Sequence, residues 1–163
     1  MPTPEQHALL SASSSDRWLH CTPSARLAEG FPESSSSYAE AGRVAHAIAE
    51  LKARKYFVEA MSTRSFNSQL KKLKEDPNYD KGMDASTDVY LDYLKDLAFS
   101  FGSAAHPFVT LENRVDYSDY APEGFGTADC IMIAGGTLCV CDYKNGAGVP
   151  VEAENNSQTA NKA

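Results

Sequence analysis

Two carboxylates and one lysine stand at the ends of neighbouring apolar runs. Asp129 opens the run that ends at Ala134, and Asp142 and Lys144 close the run that follows Gly135-Gly136. Two apolar runs around a Gly-Gly pair predict a β-hairpin, in which the start of one strand lies beside the end of the next. We therefore expect the three side chains to converge at one end of the hairpin. Two carboxylates suit Mg²⁺ or Mn²⁺, and a nearby lysine can position or activate a water.

An upstream histidine lies on a predicted helix that can approach this hairpin. The residues from Tyr38 to Phe57 have helical periodicity, and His46 shares one stripe of that helix with the small residues Gly42, Ala49 and Ala53. Small residues allow a helix to pack closely on a sheet, so the stripe predicts that His46 reaches the carboxylates. A neutral imidazole binds divalent metals, and Mn²⁺ tolerates nitrogen better than Mg²⁺ does. The alternative is a histidine with a structural role only.

The order of these residues resembles the PD-(D/E)XK phosphodiesterase superfamily, in particular its RecB-like branch of phage and bacterial DNA exonucleases. The family pattern is a helical His, then Gly-x-x-Asp, then (Asp/Glu)-x-Lys, then a helix with Gln-x-x-x-Tyr. His46 matches the first motif, Asp129 the second, and Asp142 with Lys144 the third. Gln158 stands where the fourth motif begins, but Thr-Ala-Asn-Lys follows it and no tyrosine does.

The resemblance implies one α/β domain of the α+β kind over residues 1–163. Its N-terminal helices would pack on a central mixed or antiparallel sheet, in a restriction-endonuclease-like core. The resemblance also implies a metal-dependent DNA nuclease, an exonuclease that hydrolyses phosphodiester bonds with a metal-activated water. Lys144, Asp142 and Asp129 would be catalytic, and His46, Asp129 and Asp142 would hold Mg²⁺ or Mn²⁺.

Two further polar residues are expected to support these ligands. Glu112 lies on the polar face of the strand predicted before the hairpin, near a position where many relatives in the superfamily carry a glutamate. It is interpreted as a supporting group, as an alternative ligand, or as an ion-pair partner of Arg114 or Arg43. Gln158 is expected to support the site from the fourth motif.

The fourth motif is expected to be incomplete, because too few residues follow Gln158 for a helix that is stable by itself. In the resembling family this helix packs beside the metal site. The resemblance implies a nuclease of phage or mobile-element origin. Because the fourth motif is incomplete, we expect this nuclease to be weak alone and to offer this side to a second copy or a protein partner. Two alternatives keep the nuclease fold without turnover, namely a nucleic-acid-binding module and a protein-interaction module.

Composition and periodicity divide the chain into four parts. Residues 1–23 form a polar lead, 24–104 are mainly helical, 105–147 carry the sheet with the active-site hairpin, and 148–163 form a polar tail. The periodic patterns predict helices over Tyr38–Phe57, Phe66–Lys74 and Met83–Phe101, and a strand over Phe108–Tyr117.

The charge of the chain is unevenly distributed. Seven basic residues and one acidic residue between Leu51 and Lys74 leave that segment at +6, so the remainder of a chain with net charge −7 carries −13. A basic stripe can contact DNA phosphates, and a solvated helical face explains it equally well. The predicted nucleic-acid-binding residues are Arg43, Lys52, Arg54, Lys55, Lys71, Lys72 and Lys74.

The sequence predicts a cytoplasmic protein with no membrane partner. No apolar run approaches the ~20 residues that span a bilayer, and the first residues lack the basic and apolar regions of a signal peptide. The spacing of the four cysteines matches neither a zinc site nor the iron–sulphur pattern of some RecB-like nucleases. Cys130, Cys139 and Cys141 are therefore interpreted as small apolar residues in the hairpin.

Overall fold

The fold is that of a computed structural model, which describes residues 8–31, 36–102, 106–145, 154 and 156–162. Within these residues the chain forms a 3₁₀ turn, six α-helices and three β-strands. The helices are α1 (Ser15–His20), α2 (Pro23–Ala28), α3 (Ser37–Phe57), α4 (Thr63–Lys74), α5 (Gly82–Ser100) and α6 (Ser157–Ala160). The strands are β1 (Phe108–Asp116), β2 (Phe125–Ala134) and β3 (Thr137–Cys141). None of the described helices is both long and apolar enough to cross a lipid bilayer.

The described strands form one antiparallel sheet in the order β1-β2-β3. β2 and β3 are the two arms of the predicted hairpin, with Cys130 opposite Cys141. Gly135 and Gly136 form the turn with φ of +56° and +77°, because a two-residue turn that follows the twist of the strands needs positive φ at both positions. The predicted α+β fold is confirmed, and the sheet is antiparallel.

Helices α3 and α5 cover one face of this sheet. Ala53 of α3 and Leu94 of α5 are fully buried and pack in one cluster with Cys130 and Met132 of β2. Cys130 and Met132 are two residues apart, so the alternation of the strand turns both toward the helices. Cys141 is buried in the same cluster. The interpretation of the hairpin cysteines as small core residues is confirmed for this pair.

The small residues of α3 allow close packing along only part of the helix. Ala49 and Ala53 are buried, as the stripe predicted. Gly42 differs, because a Cβ placed there would meet no described atom within 4 Å. The expectation that Gly42 permits close approach is therefore wrong.

The segment before α1 is part of the core rather than a purely polar lead. Ala12 lies in the 3₁₀ turn Ala12–Ser14 and is buried with Trp18 and Tyr117. The Trp18 indole donates to the Ser11 carbonyl at 2.9 Å, and the Tyr117 hydroxyl donates to the Leu10 carbonyl at 2.9 Å. Sequence reasoning missed this packing because small and polar residues dominate the segment.

The helix boundaries differ from the predicted ones where a cap was overlooked. α4 begins at Thr63 rather than Phe66, because the Ser62 side chain accepts a hydrogen bond from the Ser65 amide and caps the helix. The predicted tail at 148–163 lies largely outside the described residues. Its described part includes α6, which the Asn156 side chain caps by accepting from the Thr159 amide.

Leu94 joins α5 to the sheet in the core, so it should contribute strongly to the stability of the fold. Leu94→Ala removes a fully buried side chain, so we expect the free energy of unfolding to fall by about 2–5 kcal/mol. Val89→Ala is the matched control, because Val89 lies on the same helix with 70% of its surface exposed. Urea denaturation measures both variants, and equal losses would contradict the assignment of this core.

Candidate metal centre

The open end of the β2–β3 hairpin brings the two predicted carboxylates together. The last pair of the register is Cys130 with Cys141, so Asp129 and Asp142 come next on the two strands. The Asp129 side chain then accepts a hydrogen bond from the Tyr143 amide, with 2.6 Å between the amide nitrogen and Oδ2. The convergence expected from the spacing is therefore present.

His46 reaches the same point from α3. Its Nδ1 lies 3.4 Å from Asp129 Oδ2. The imidazole meets the Tyr143 ring edge-on, with 5.2 Å between the ring centroids. The exposed fractions of the side chains are 34% for His46 and 13% for Asp129, so the pair is shielded but remains accessible from one side.

Glu112 completes a group of three metal-binding side chains. A nitrogen of His46, an oxygen of Glu112 and an oxygen of Asp129 all lie within 4.8 Å of one another. Glu112 stands opposite Asp129 across β1 and β2, but the pairing skips these two residues. The reason is the Glu112 backbone, whose φ of +48° is in the left-handed region that a non-glycine residue rarely adopts.

The structure bears on the interpretation of Glu112 as an ion-pair partner. An ion pair with Arg114 or Arg43 is not formed among the described residues. The Arg114 guanidinium lies 3.9 Å from the centroid of the Phe125 ring, and Arg43 pairs with Glu40. The position of Glu112 beside His46 and Asp129 favours the alternative-ligand interpretation.

The crowding of carboxylates changes their acidity. Glu112 as a residue is exposed, but its carboxyl group is partly enclosed by its neighbours, and this desolvation, followed by the charges of Asp129 and Glu50, raises the pKa of Glu112 to about 7. Burial also raises the pKa of Asp129, while His46 and the Tyr143 amide act against that rise and Asp142 adds to it. A divalent cation would favour the ionised form of both groups.

Asp142 has a different environment, because cationic side chains surround it. The Lys144 ammonium lies 2.5 Å from Oδ2, and the Lys162 ammonium lies 2.7 Å from Oδ1. The Gln158 side chain also donates to Oδ1, at 3.2 Å. Burial acts to raise the pKa of Asp142, but the hydrogen bonds from Lys144 and Lys162 outweigh burial and lower it.

Lys162 is the residue of this site that sequence reasoning missed. It follows Gln158 by four positions, where the fourth motif of the resembling family has its tyrosine. The spacing of Gln158 and Lys162 could have indicated it, because residues four apart share a helical face. Its burial could not be foreseen, since lysines are rarely buried unless they are paired.

The donor set fits a hard divalent cation. Two carboxylates and one imidazole suit Mn²⁺, and they suit Mg²⁺ less well because of the nitrogen ligand. The expected ligands His46 and Asp129 belong to the cluster of three, and Glu112 joins them. The expected third ligand, Asp142, lies beside this cluster and is engaged by the two lysines.

The predicted basic surface is only partly a surface. Lys52 is buried between α3 and α5, where its ammonium donates to Thr87 at 2.8 Å and to Asp88 at 2.5 Å. Its predicted contact with nucleic acid is therefore wrong. The charge pattern could not reveal this, because Asp88 lies 36 residues further along the chain.

Most other members of the stripe have partners within the protein. Arg54 pairs with Glu50 and Glu59, and Lys74 pairs with Asp84 at 2.6 Å. Lys55 lies over the Phe66 ring, with 4.1 Å between the ammonium and the centroid. Lys71 and Lys72 of α4 are exposed and remain suited to contact phosphates, although Lys71 lies 3.9 Å from Glu75.

Fold and site together define an α+β protein with a candidate divalent-metal centre at the open end of a hairpin. A family model described as "Protein of unknown function (DUF2800)" matches residues 7–163. The chain therefore belongs to the DUF2800 family. No solved structure matches the chain.

The cluster predicts a loss of metal affinity when a ligand is removed. His46→Ala and Glu112→Gln should each weaken Mn²⁺ binding by at least about tenfold. Removal of a group that only supports a metal ligand already lowers metal affinity by that factor. Asp119→Asn is the control, since it removes an exposed acidic group outside the cluster. Calorimetric titration with Mn²⁺ measures all three, and unchanged binding in both ligand variants would remove the site.

The same cluster predicts a pH dependence of metal binding. Glu112 must lose its proton to act as a ligand, and its pKa is about 7. Its ionised fraction therefore rises about tenfold between pH 6 and pH 8, and Mn²⁺ affinity should rise with it. Glu112→Gln should reduce this dependence, and Asp129, whose pKa burial also raises, accounts for what remains. If Mn²⁺ affinity rises equally steeply with pH in the variant and in wild type, Glu112 is not the source of the pH dependence.

Proposed function

We propose that this protein is a divalent-metal-dependent deoxyribonuclease that hydrolyses phosphodiester bonds. The observation that carries the proposal is the meeting of His46, Glu112 and Asp129 within 4.8 Å, beside the ion pair of Asp142 and Lys144. The three ligands come from α3, β1 and β2, so their meeting depends on the tertiary fold. The motif order that resembles RecB-like nucleases supports the choice of substrate.

In this proposal the residues of the centre have separate roles. His46, Glu112 and Asp129 hold the cation, which when bound would polarise a phosphoryl oxygen and lower the pKa of water. Asp142 holds Lys144 in place. The Lys144 side chain is 48% exposed, so its ammonium can contact a phosphate oxygen or orient the attacking water.

The surroundings of the centre suggest a path for DNA. α4 packs through Leu70 and Leu73 on the cluster that includes Tyr143, the residue between Asp142 and Lys144. The exposed Lys71 and Lys72 lie on this helix and can contact phosphates away from the reacting bond. Since the net charge of the chain is −7, we expect the binding of DNA to be weak at high salt.

One observation favours a second candidate, a nucleic-acid-binding module without turnover. Both oxygens of Asp142 are engaged by ammonium groups, so this carboxylate is paired without a metal ion. Salt-sensitive DNA binding in the absence of Mn²⁺-dependent cleavage would select this candidate. Neither binding nor cleavage would leave a protein-interaction module.

The catalytic assignment is tested by separating chemistry from binding. Lys144→Ala should lower the single-turnover rate of Mn²⁺-dependent cleavage by about 100-fold or more, which is the usual contribution of a positioned acid or base. The variant should fold, because Asp142 keeps Lys162 and Gln158 as partners. Linear double-stranded DNA is the substrate, and linear RNA of the same sequence tests the choice of nucleic acid.

The double variant Lys71→Ala/Lys72→Ala provides the contrast. It should weaken DNA binding and lower the slope of log affinity against log salt concentration by about two, which is about one for each lost phosphate contact. The cleavage rate at saturating DNA should stay unchanged. Asp129→Asn serves as the inactive reference. Cleavage by Lys144→Ala at the wild-type rate would contradict the role of Lys144, and cleavage by Asp129→Asn would contradict the metal centre.

A further inference from the structure

Lys162 is a buried cation that faces the carboxylates of the candidate centre. Only 5% of its side chain is exposed, and its ammonium lies 2.7 Å from Asp142 Oδ1. Its charge also acts on Asp129 and on Glu112. A buried charge costs free energy unless it is paired, so this lysine is held at the centre by the carboxylates it neutralises.

Several contacts form the place that Lys162 occupies. α6 is attached to the start of α1 by a hydrogen bond between the Ser157 and Ser15 hydroxyls, at 2.7 Å. Gly126 of β2 lies where the 3₁₀ turn and the Lys162 side chain approach the strand. A Cβ at Gly126 would lie 3.8 Å from Lys162 Cε and 3.2 Å from Ala12 Cβ. The glycine that opens the Gly-x-x-Asp segment thus permits the close approach of the 3₁₀ turn, and Lys162 lies at ordinary contact distance from it.

The balance of charge limits how many ions the centre can take. Among the described residues, Glu112, Asp129 and Asp142 carry three negative charges when ionised, and Lys144 and Lys162 carry two positive charges. One divalent ion would give this group a net charge of +1, opposite to that of a phosphodiester. A second divalent ion would have to lie near Asp142, where both oxygens already have an ammonium partner.

We propose that Lys162 takes the place of a second divalent cation at Asp142, so that the protein binds one divalent ion rather than two. This inference rests on the proposed metal centre of His46, Glu112 and Asp129. Lys162 is a positioning residue, because it keeps Asp142 ionised and directs the other oxygen of Asp142 to Lys144. Gln158 lies four residues earlier and contacts the same oxygen of Asp142.

The number of bound ions tests the inference directly. Wild type should bind one Mn²⁺ per chain, measured by calorimetry and by equilibrium dialysis. Lys162→Gln keeps a hydrogen-bond donor for Asp142 but removes the charge, so it should bind a second Mn²⁺. Lys162→Arg keeps the charge and should again bind one. Adding Asp142→Asn to Lys162→Gln should remove the second ion, because that ion depends on the freed carboxylate.

Circular dichroism and thermal unfolding establish that each variant is folded before ions are counted. Lys162→Met is a second neutral variant with the same expected stoichiometry. Two ions bound by wild type, or one ion bound by both neutral variants, would overturn the role of Lys162 and leave the metal centre standing. No binding by wild type would overturn both proposals. One ion in wild type and in Lys162→Arg, with two in the neutral variants, is the result expected.

Discussion

This structure depends on one constraint, which is the repulsion between two carboxylates that the antiparallel register brings together. Asp129 and Asp142 stand next to the terminal β2–β3 pair, Cys130 with Cys141, so the hairpin register makes them neighbours. Like charges in a partly buried place cost free energy unless cations or donors face them. The Tyr143 amide and His46 face Asp129, and the two lysines face Asp142.

Tyr143 connects this polar end of the hairpin to the packing of the helices. Its amide fixes Asp129, and its ring packs against His46 and against Tyr90 of α5, with 4.9 Å between the tyrosine ring centroids. Its hydroxyl hydrogen-bonds with the Ser86 hydroxyl at 2.8 Å. Because Asp142 and Lys144 flank Tyr143, the packing of one aromatic residue determines the position of both polar neighbours.

The parts of the site that the sequence predicted are those that follow from periodicity. The hairpin, the helix that carries His46 and the meeting of Asp129 with Asp142 follow from the periods of strands and helices and from the Gly-Gly turn. The place of Glu112 depends on a left-handed backbone, which its residue type does not indicate. Lys52 and Lys162 are buried only because distant carboxylates pair with them. The nuclease resemblance stays a prediction, which the family assignment leaves open.

The attachment of α6 to α1 has a consequence for the order in which the protein is made. Ser15 and Ser157 are separated by 142 residues, and the sheet lies between them in the chain. A ribosome makes the N-terminal part first, so Asp142 and Lys144 are in the growing chain before Lys162 is added. During that interval Asp142 has only Lys144 of its two ammonium partners. The full pairing of Asp142 therefore requires that synthesis has passed residue 162.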